Sequence, residues 1–243
     1  MSGRALATQT RAEVTMTLRR GESVLLALGI PVGLLVFFSL VDVLPKGDAK
    51  HAVDFLAPGI LALAVMSTAM VSLGIATGFE RQYGVLKRLG STPLGRPALL
   101  AAKTAGVMAV ELVQIIVLVP VALALGWSPH GNAGLALGAV LLATAGFAGL
   151  GLLMAGTLRA EVTLAAANGL YLVLLLLGGM VIPLSKLPGP LRAVSRALPA
   201  AGLSDALHGA LAAGSSVPGR AWLVLVVWAV AAPLAASRTF RWE

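Results

Sequence analysis

FLAPGILALAVMSTAMVSLGIATGF, residues Phe55–Phe79, runs for twenty-five positions without a charged side chain. A helix rises about 1.5 Å per residue, so roughly 20 apolar residues cross a hydrocarbon layer about 30 Å thick. The same test can be carried outward in both directions. Ser23–Val41 (nineteen residues), Gly134–Leu158 (twenty-five), Val162–Ile182 (twenty-one) and Ala221–Ser237 (seventeen) are also free of charge, and Thr104–Gly126 (twenty-three) holds a single acid, Glu111. No segment has the ten-residue alternation of an outer-membrane barrel. The 243 residues are 58% hydrophobic and 12% charged, against about 25% charged in a soluble domain. Twenty-eight glycines and thirteen prolines lie scattered among Leu, Val and Ala, so the chain is too apolar to stay disordered. The expected fold class is an all-α membrane protein: one transmembrane domain over residues 1–243 with six helices crossing the bilayer.

With no cysteine, disulfides, thiol catalysis and cysteine-bound metals are out of consideration. The formal charge of +8 sits between the apolar runs, where it sets topology and touches anionic headgroups, so the bilayer rather than nucleic acid is the expected partner. The polar start is long and the first apolar run exceeds the usual 7–15 residues of a signal peptide; the first span is expected to stay as an anchor. Basic residues orient the spans. With both termini cytoplasmic, the inner segments hold twelve basic residues and the outer ones six. The expected location is the plasma membrane, multi-pass, with both ends inside.

Two connecting segments carry helical patterns of their own. Between spans five and six, Leu191, Val194 and Leu198 form one apolar stripe. After Pro199 a second follows at Leu203, Leu207 and Leu211, with Asp205 and His208 off it. Two short helices broken at Pro199 fit this, lying in the outer interface or dipping into it. On the cytoplasmic side, Phe79, Tyr83, Leu86 and Leu89 recur at helical spacing, while Glu80, Arg81, Lys87 and Arg88 cover the other side. Thr92-Pro93 ends the pattern, because proline disfavours helical geometry in the residue before it. The result is a short amphipathic helix projecting from the second span, which lies on the membrane or enters a partner's groove; periodicity does not choose. Thr10–Glu22, with Val14 and Leu18 four apart beside Arg11, Arg19 and Arg20, reads as an interfacial helix leading into the first span.

The run Phe79-Glu80-Arg81-Gln82-Tyr83-Gly84-Val85-Leu86-Lys87-Arg88-Leu89-Gly90-Ser91-Thr92-Pro93-Leu94 resembles the cytoplasmic loop of type-2 ABC-transporter permeases, with its Glu-Arg pair, glycine, basic residue, leucine and Thr-Pro. Gly178-Gly179-Met180-Val181-Ile182-Pro183-Leu184, then Leu187-Pro188 and Leu198-Pro199, resembles the family's signature after the fifth span. The drug- and antibiotic-exporter branch is the most similar. Val85, Ala200-Ala201-Gly202 and His208 depart from the usual residues. The resemblance implies two permease subunits, two copies or one with a related chain, and two ATPase subunits that hold the ATP and Mg. It makes 79–94 a coupling helix, with Leu86 and Leu89 as apolar anchors beside Tyr83, and with Arg81, Lys87 and Arg88 facing acids or headgroups. Phe79, Glu80, Thr92 and Pro93 complete the set. It also makes Gly29 and Gly33 of the first span candidates for the interface between subunits.

No Gly-x-x-x-x-Gly-Lys-Ser/Thr run occurs, so no cofactor is expected in this chain and nucleotide chemistry must come from a partner. His51, His130 and His208 are isolated, so no catalytic or metal site is expected. Glu111 is the one acid within a span. A charge at the bilayer centre costs roughly 2.5–3.5 kcal/mol, so this group must face protein or water or be protonated. Gln114 shares its face; the pair serves a cavity or an interhelical hydrogen bond, as does the similar pair Asn168 and Tyr171. Gly74-x-x-x-Gly78 and Gly134-x-x-x-Gly138 permit close helix approach. The expected function is the permease of an ATP-driven exporter of hydrophobic or amphiphilic substrates. The alternatives are an ion-coupled secondary transporter and a non-transporting membrane scaffold.

Overall fold

The computed structural model describes residues 3–19, 21–41, 52–90, 96–212 and 216–240, and among these every regular element is helical. In chain order they are α1 (Gly3–Arg19), α2 (Gly21–Leu40), α3 (Ala52–Gln82), α4 (Val85–Gly90), α5 (Arg96–Ala124), α6 (Ala133–Thr157), α7 (Ala160–Leu177), α8 (Gly189–Ser195), α9 (Pro199–Leu211) and α10 (Gly219–Thr239). Five helices are long and apolar enough to cross a membrane: α3, α5 over Ala98–Ala124, α6, α7 and α10. In α2 the apolar part among the described side chains is the shorter Leu25–Leu40. The protein is a multi-pass membrane protein.

The helix ends follow local chemistry. Asn132 caps α6, its side-chain oxygen accepting from the N–H groups of Gly134 (2.8 Å) and Leu135 (3.2 Å). The apolar run 162–182 does not stay helical to its end. It stops at Leu177 because Gly179 takes φ +71°, a conformation that favours glycine, and the Leu184 side chain fills the space beside it. Pro199 stands at the start of α9, where its missing N–H costs nothing.

Glycines set the closest packing. On α6, a Cβ at Gly149 would meet the Pro233 backbone nitrogen of α10 at 2.5 Å, and one at Gly156 would meet the Phe240 ring. Gly151 of α6 and Gly74 of α3 bring those two helices together, a Cβ at Gly151 facing the Met70 carbonyl at 2.5 Å. Gly78 abuts Thr163 of α7 and Gly138 abuts the Trp222 ring, while Gly134 meets only the Asn132 cap. Halfway along, α3 widens into a π-helical segment, Ser67–Ser72, and continues to Gln82.

One end of the bundle, called here the terminal end, gathers α1, the tip that joins α3 to α4, the α6–α7 turn and the last residues of α10. At the distal end the α5–α6 turn is tied to α9, with Asn132 N–H donating to Ala210 O (2.7 Å) and His130 N–H to Leu211 O (3.3 Å). From there α9 descends antiparallel to α10. The Arg220 guanidinium donates to Asp205 Oδ2 at 2.9 Å, and eight residues deeper the Trp228 indole N–H donates to Ala197 O at 2.9 Å. Trp228 lies nine residues into α10, so the α8–α9 elbow sits about 13 Å below the distal end. The pair therefore dips into the bundle. Leu203 and Leu207 are buried, Leu198 is half-buried, and Leu191 and Val194 of α8 remain exposed, so the first stripe does not pack inward.

Candidate functional site

The terminal end carries the chemistry that a partner would meet. The helical spacing from Phe79 to Leu89 predicts one continuous helix, but α3 ends at Gln82 and the chain turns through Tyr83 and Gly84 before α4. Gly84 has φ +71°, and its N–H donates to Arg81 O at 3.0 Å. A Leu-for-Leu period of three and four passes through this corner unchanged, which hides it in the sequence. The corner alters the roles expected of the apolar residues. Leu86 is 0% exposed and belongs to the chain's own core, so it is not offered to a partner; Tyr83, at 72%, and Val85 stand out instead. Tyr83 stacks on Phe79 with ring centroids 6.2 Å apart. Lys87 is exposed. The side chains of Arg88 and Leu89, and all of Thr92 and Pro93, fall outside the described residues.

The tip is locked to the rest of the terminal end. Arg81 Nη2 donates to Leu158 O at 2.6 Å, and Gln82 Nε2 donates to Glu161 Oε1 at 2.8 Å, so the foot of α3 is joined to the α6–α7 turn. Glu80 turns inward. Its Oε2 lies 2.5 Å from Lys103 Nζ of α5, which also lies 3.4 Å from Glu13 Oε1 of α1. Lys103 is 3% exposed, and Gln9 Nε2 donates to Glu13 Oε1 at 3.0 Å. Two carboxylates thus hold one buried ammonium, with α1, α3 and α5 fastened by it. The sequence offers no sign of this pairing, since Glu13 and Lys103 lie ninety positions apart.

Deeper in the bundle the polar residues of α5 are structural neighbours of three other helices. Gln114 Nε2 donates to Ala27 O of α2 (2.8 Å), and its Oε1 accepts from Thr68 of the wide segment of α3 (3.2 Å). Glu111 Oε2 accepts from Thr144 of α6 at 2.7 Å, and its Oε1 has no protein partner. Asn168 does not pair between helices: it is exposed and donates to Leu164 O on its own helix at 2.9 Å. Tyr171 is half-buried against the core. Gly29 and Gly33 are exposed with nothing within 4 Å of a Cβ, so within one chain they face open space.

At the distal end His208 is keyed into the fold rather than turned away from it. Its Nε2 lies 3.0 Å from Phe55 O, its Nδ1 2.8 Å from Ser204 O, and its ring 4.7 Å from the Phe55 ring. Ser204 Oγ donates to Gly179 O at 2.9 Å. At the mouth, burial pushes the Asp205 carboxyl above its ordinary range and the Arg220 guanidinium draws it back. Among the described residues, no three His, Asp or Glu side chains are placed to hold a metal ion.

The sequence comparison gives the class. The chain belongs to the ABC-2 type transporter family, whose model matches residues 4–211. Such chains are membrane subunits of ABC transporters and work with ATPases carried on separate subunits. No curated protein matches the sequence.

Proposed function

We propose that this permease subunit belongs to an exporter that moves hydrophobic or amphiphilic molecules, whether drugs, antibiotics or lipid-like compounds, out of the cytoplasm or the inner leaflet of the plasma membrane. The terminal end is cytoplasmic, in keeping with its share of basic residues. Helix α2 is the sixth span; its twenty residues give about 30 Å of length. Two permeases, identical or related, pair through faces that include Gly29 and Gly33, and two ATPase subunits grip the cytoplasmic tips. Substrate leaves between the permeases beneath the α8–α9 elbows.

One observation carries the reading. Helix α3 continues as one helical element for thirty-one residues, through Pro58 and the wide segment, from the distal end to a tip that exposes Tyr83, Val85 and Lys87. Arg81 and Gln82 fasten that tip to the α6–α7 turn, so a force on it reaches three spans at once. The coupling surface is then Phe79, Tyr83, Val85, Lys87 and the segment that follows through Arg88, Leu89, Thr92 and Pro93, with Leu86 as its inner support. Co-purification of the tagged chain should bring down an ABC ATPase, and ATP should drive uptake of a lipophilic dye into inverted vesicles. Transport that persists with no ATPase present, or that follows an ion gradient instead, would overturn the proposal.

A further inference from the structure

Both ring nitrogens of His208 face carbonyl oxygens. Nδ1 lies 2.8 Å from Ser204 O, one turn back on α9, and Nε2 lies 3.0 Å from Phe55 O in the first turn of α3. A carbonyl oxygen only accepts, and a neutral imidazole has a single N–H. A neutral ring therefore makes one of these bonds and turns a lone pair toward the other carbonyl. A ring protonated on both nitrogens makes both. Phe55 supplies a second, independent sign of a cation. Its ring lies 4.7 Å from the imidazole, centroid to centroid, and an aromatic face attracts positive charge.

The two neutral forms are not equivalent. Keeping the proton on Nδ1 preserves the shorter bond inside α9 and leaves the Ser204 hydroxyl on Gly179 O at 2.9 Å. Keeping it on Nε2 would set a bare Nδ1 against Ser204 O and draw the Ser204 hydroxyl, 3.4 Å away, off Gly179. Loss of a proton therefore falls on Nε2, and the bond given up is the one between helices. Among the described residues, the charges in this region are carried by α3, α9, α10 and the α8–α9 elbow. Asp205 of α9 is held by Arg220 of α10 at 2.9 Å and is also drawn to His208 and Arg196. Asp54 precedes Phe55 on α3, and His130 in the α5–α6 turn is exposed. Helices α6 and α7 also pack on α9; α6 holds no titratable side chain, and the last two turns of α7 hold only Tyr171.

We propose that His208 is a proton-operated latch at the distal end. With both ring nitrogens protonated it fastens α9 to the start of α3; when Nε2 releases its proton to solvent, two electron-rich atoms face each other and the helices part. The re-entrant pair is thus gripped in acid and loosened in alkali. The latch goes beyond the exporter reading and needs neither ATP nor a partner.

The test uses the full chain in nanodiscs of phosphatidylcholine, without ATPase, compared at about pH 5 and about pH 8, the range over which histidine changes charge. Nitrogen NMR of the histidine-labelled chain, with the His208 signals assigned by their loss in His208→Gln, should show protons on both ring nitrogens in acid and on Nδ1 alone in alkali. Hydrogen exchange supplies the mechanical readout, each rate divided by the intrinsic chemical rate at its own pH. Protection of the α9 amides should fall about tenfold from acid to alkali, as expected for loss of one charge-assisted bond, while α6 holds steady. In His208→Gln, whose amide does not titrate, the fall should disappear. A ring with a single proton at pH 5, or wild-type protection equal at the two pH values, would overturn the latch even if the variant does not fold. A fall that persisted in His208→Gln would assign it to another group and overturn it as well.

Discussion

Leu86 and Tyr83 lie three residues apart on the same tip of the terminal end, yet substitutions there should fail in opposite ways. Leu86 is wholly buried in the chain's own core. Truncating a buried leucine removes transfer free energy and leaves a cavity, together about 2–5 kcal/mol. Tyr83 presents most of its surface to solvent, and a substitution at such a site changes stability by within about 0.5 kcal/mol. Leu86→Ala should therefore lower the midpoint of reversible unfolding in mixed micelles, while Tyr83→Asp should leave it in place. The order reverses for coupling. Tyr83→Asp, alone or with Val85→Asp, puts carboxylates on the exposed apolar patch and should abolish both ATPase co-purification and ATP-driven dye uptake. Leu86→Ala protein that survives purification at low temperature should still bind the ATPase. If Leu86→Ala lost the partner at unchanged stability, the leucine would be a contact after all and the inward packing of α4 would be mistaken.

Three further outcomes follow from the packing. Gly149→Ala places a methyl group against the Pro233 backbone and should cost about 1–3 kcal/mol in the same unfolding assay, whereas Gly29→Ala, which meets nothing within 4 Å, should not affect the single chain and should show only in crosslinking between copies. Lys103→Met removes the buried ammonium that holds the Glu13 and Glu80 carboxylates and should destabilise by about 3–5 kcal/mol, with most of the loss recovered when Glu13→Gln and Glu80→Gln are added; recovery by neither would argue against the triad. Trp228→Phe removes the bond to Ala197 O and should cost about 0.5–1.5 kcal/mol, with hydrogen exchange at the α8–α9 elbow rising more than elsewhere.

Run length makes the long helices legible in the sequence, because bilayer thickness imposes a number that Phe55–Phe79 meets without knowledge of any neighbour. Pro199 likewise announces its own break, since a local covalent fact decides it. What stays hidden depends on partners distant in sequence. Periodicity assigns Leu86 to an apolar face but is silent on whether that face meets its own chain or another. The stripe at Leu203 and Leu207 predicts a helix, but its depth is fixed by Trp228, which reads in isolation as one more aromatic residue of a span. Glu13 and Lys103 look like interfacial charges until α1 and α5 are laid side by side. Gly149, Gly151 and Gly156, which seat α10 and α3 against α6, escape a search for glycines four apart because none of them has a glycine four positions away.

The wide segment Ser67–Ser72 also has a mechanical meaning. It stores a surplus residue within α3. Should that residue be taken up by regular winding, everything below it, from Leu73 to Gln82, would swivel by about 100° about the axis, the angle one residue subtends in an α-helix. Axial thrust at the foot of α3 would then emerge as torque, and the face that holds Glu80 would rotate away from Lys103.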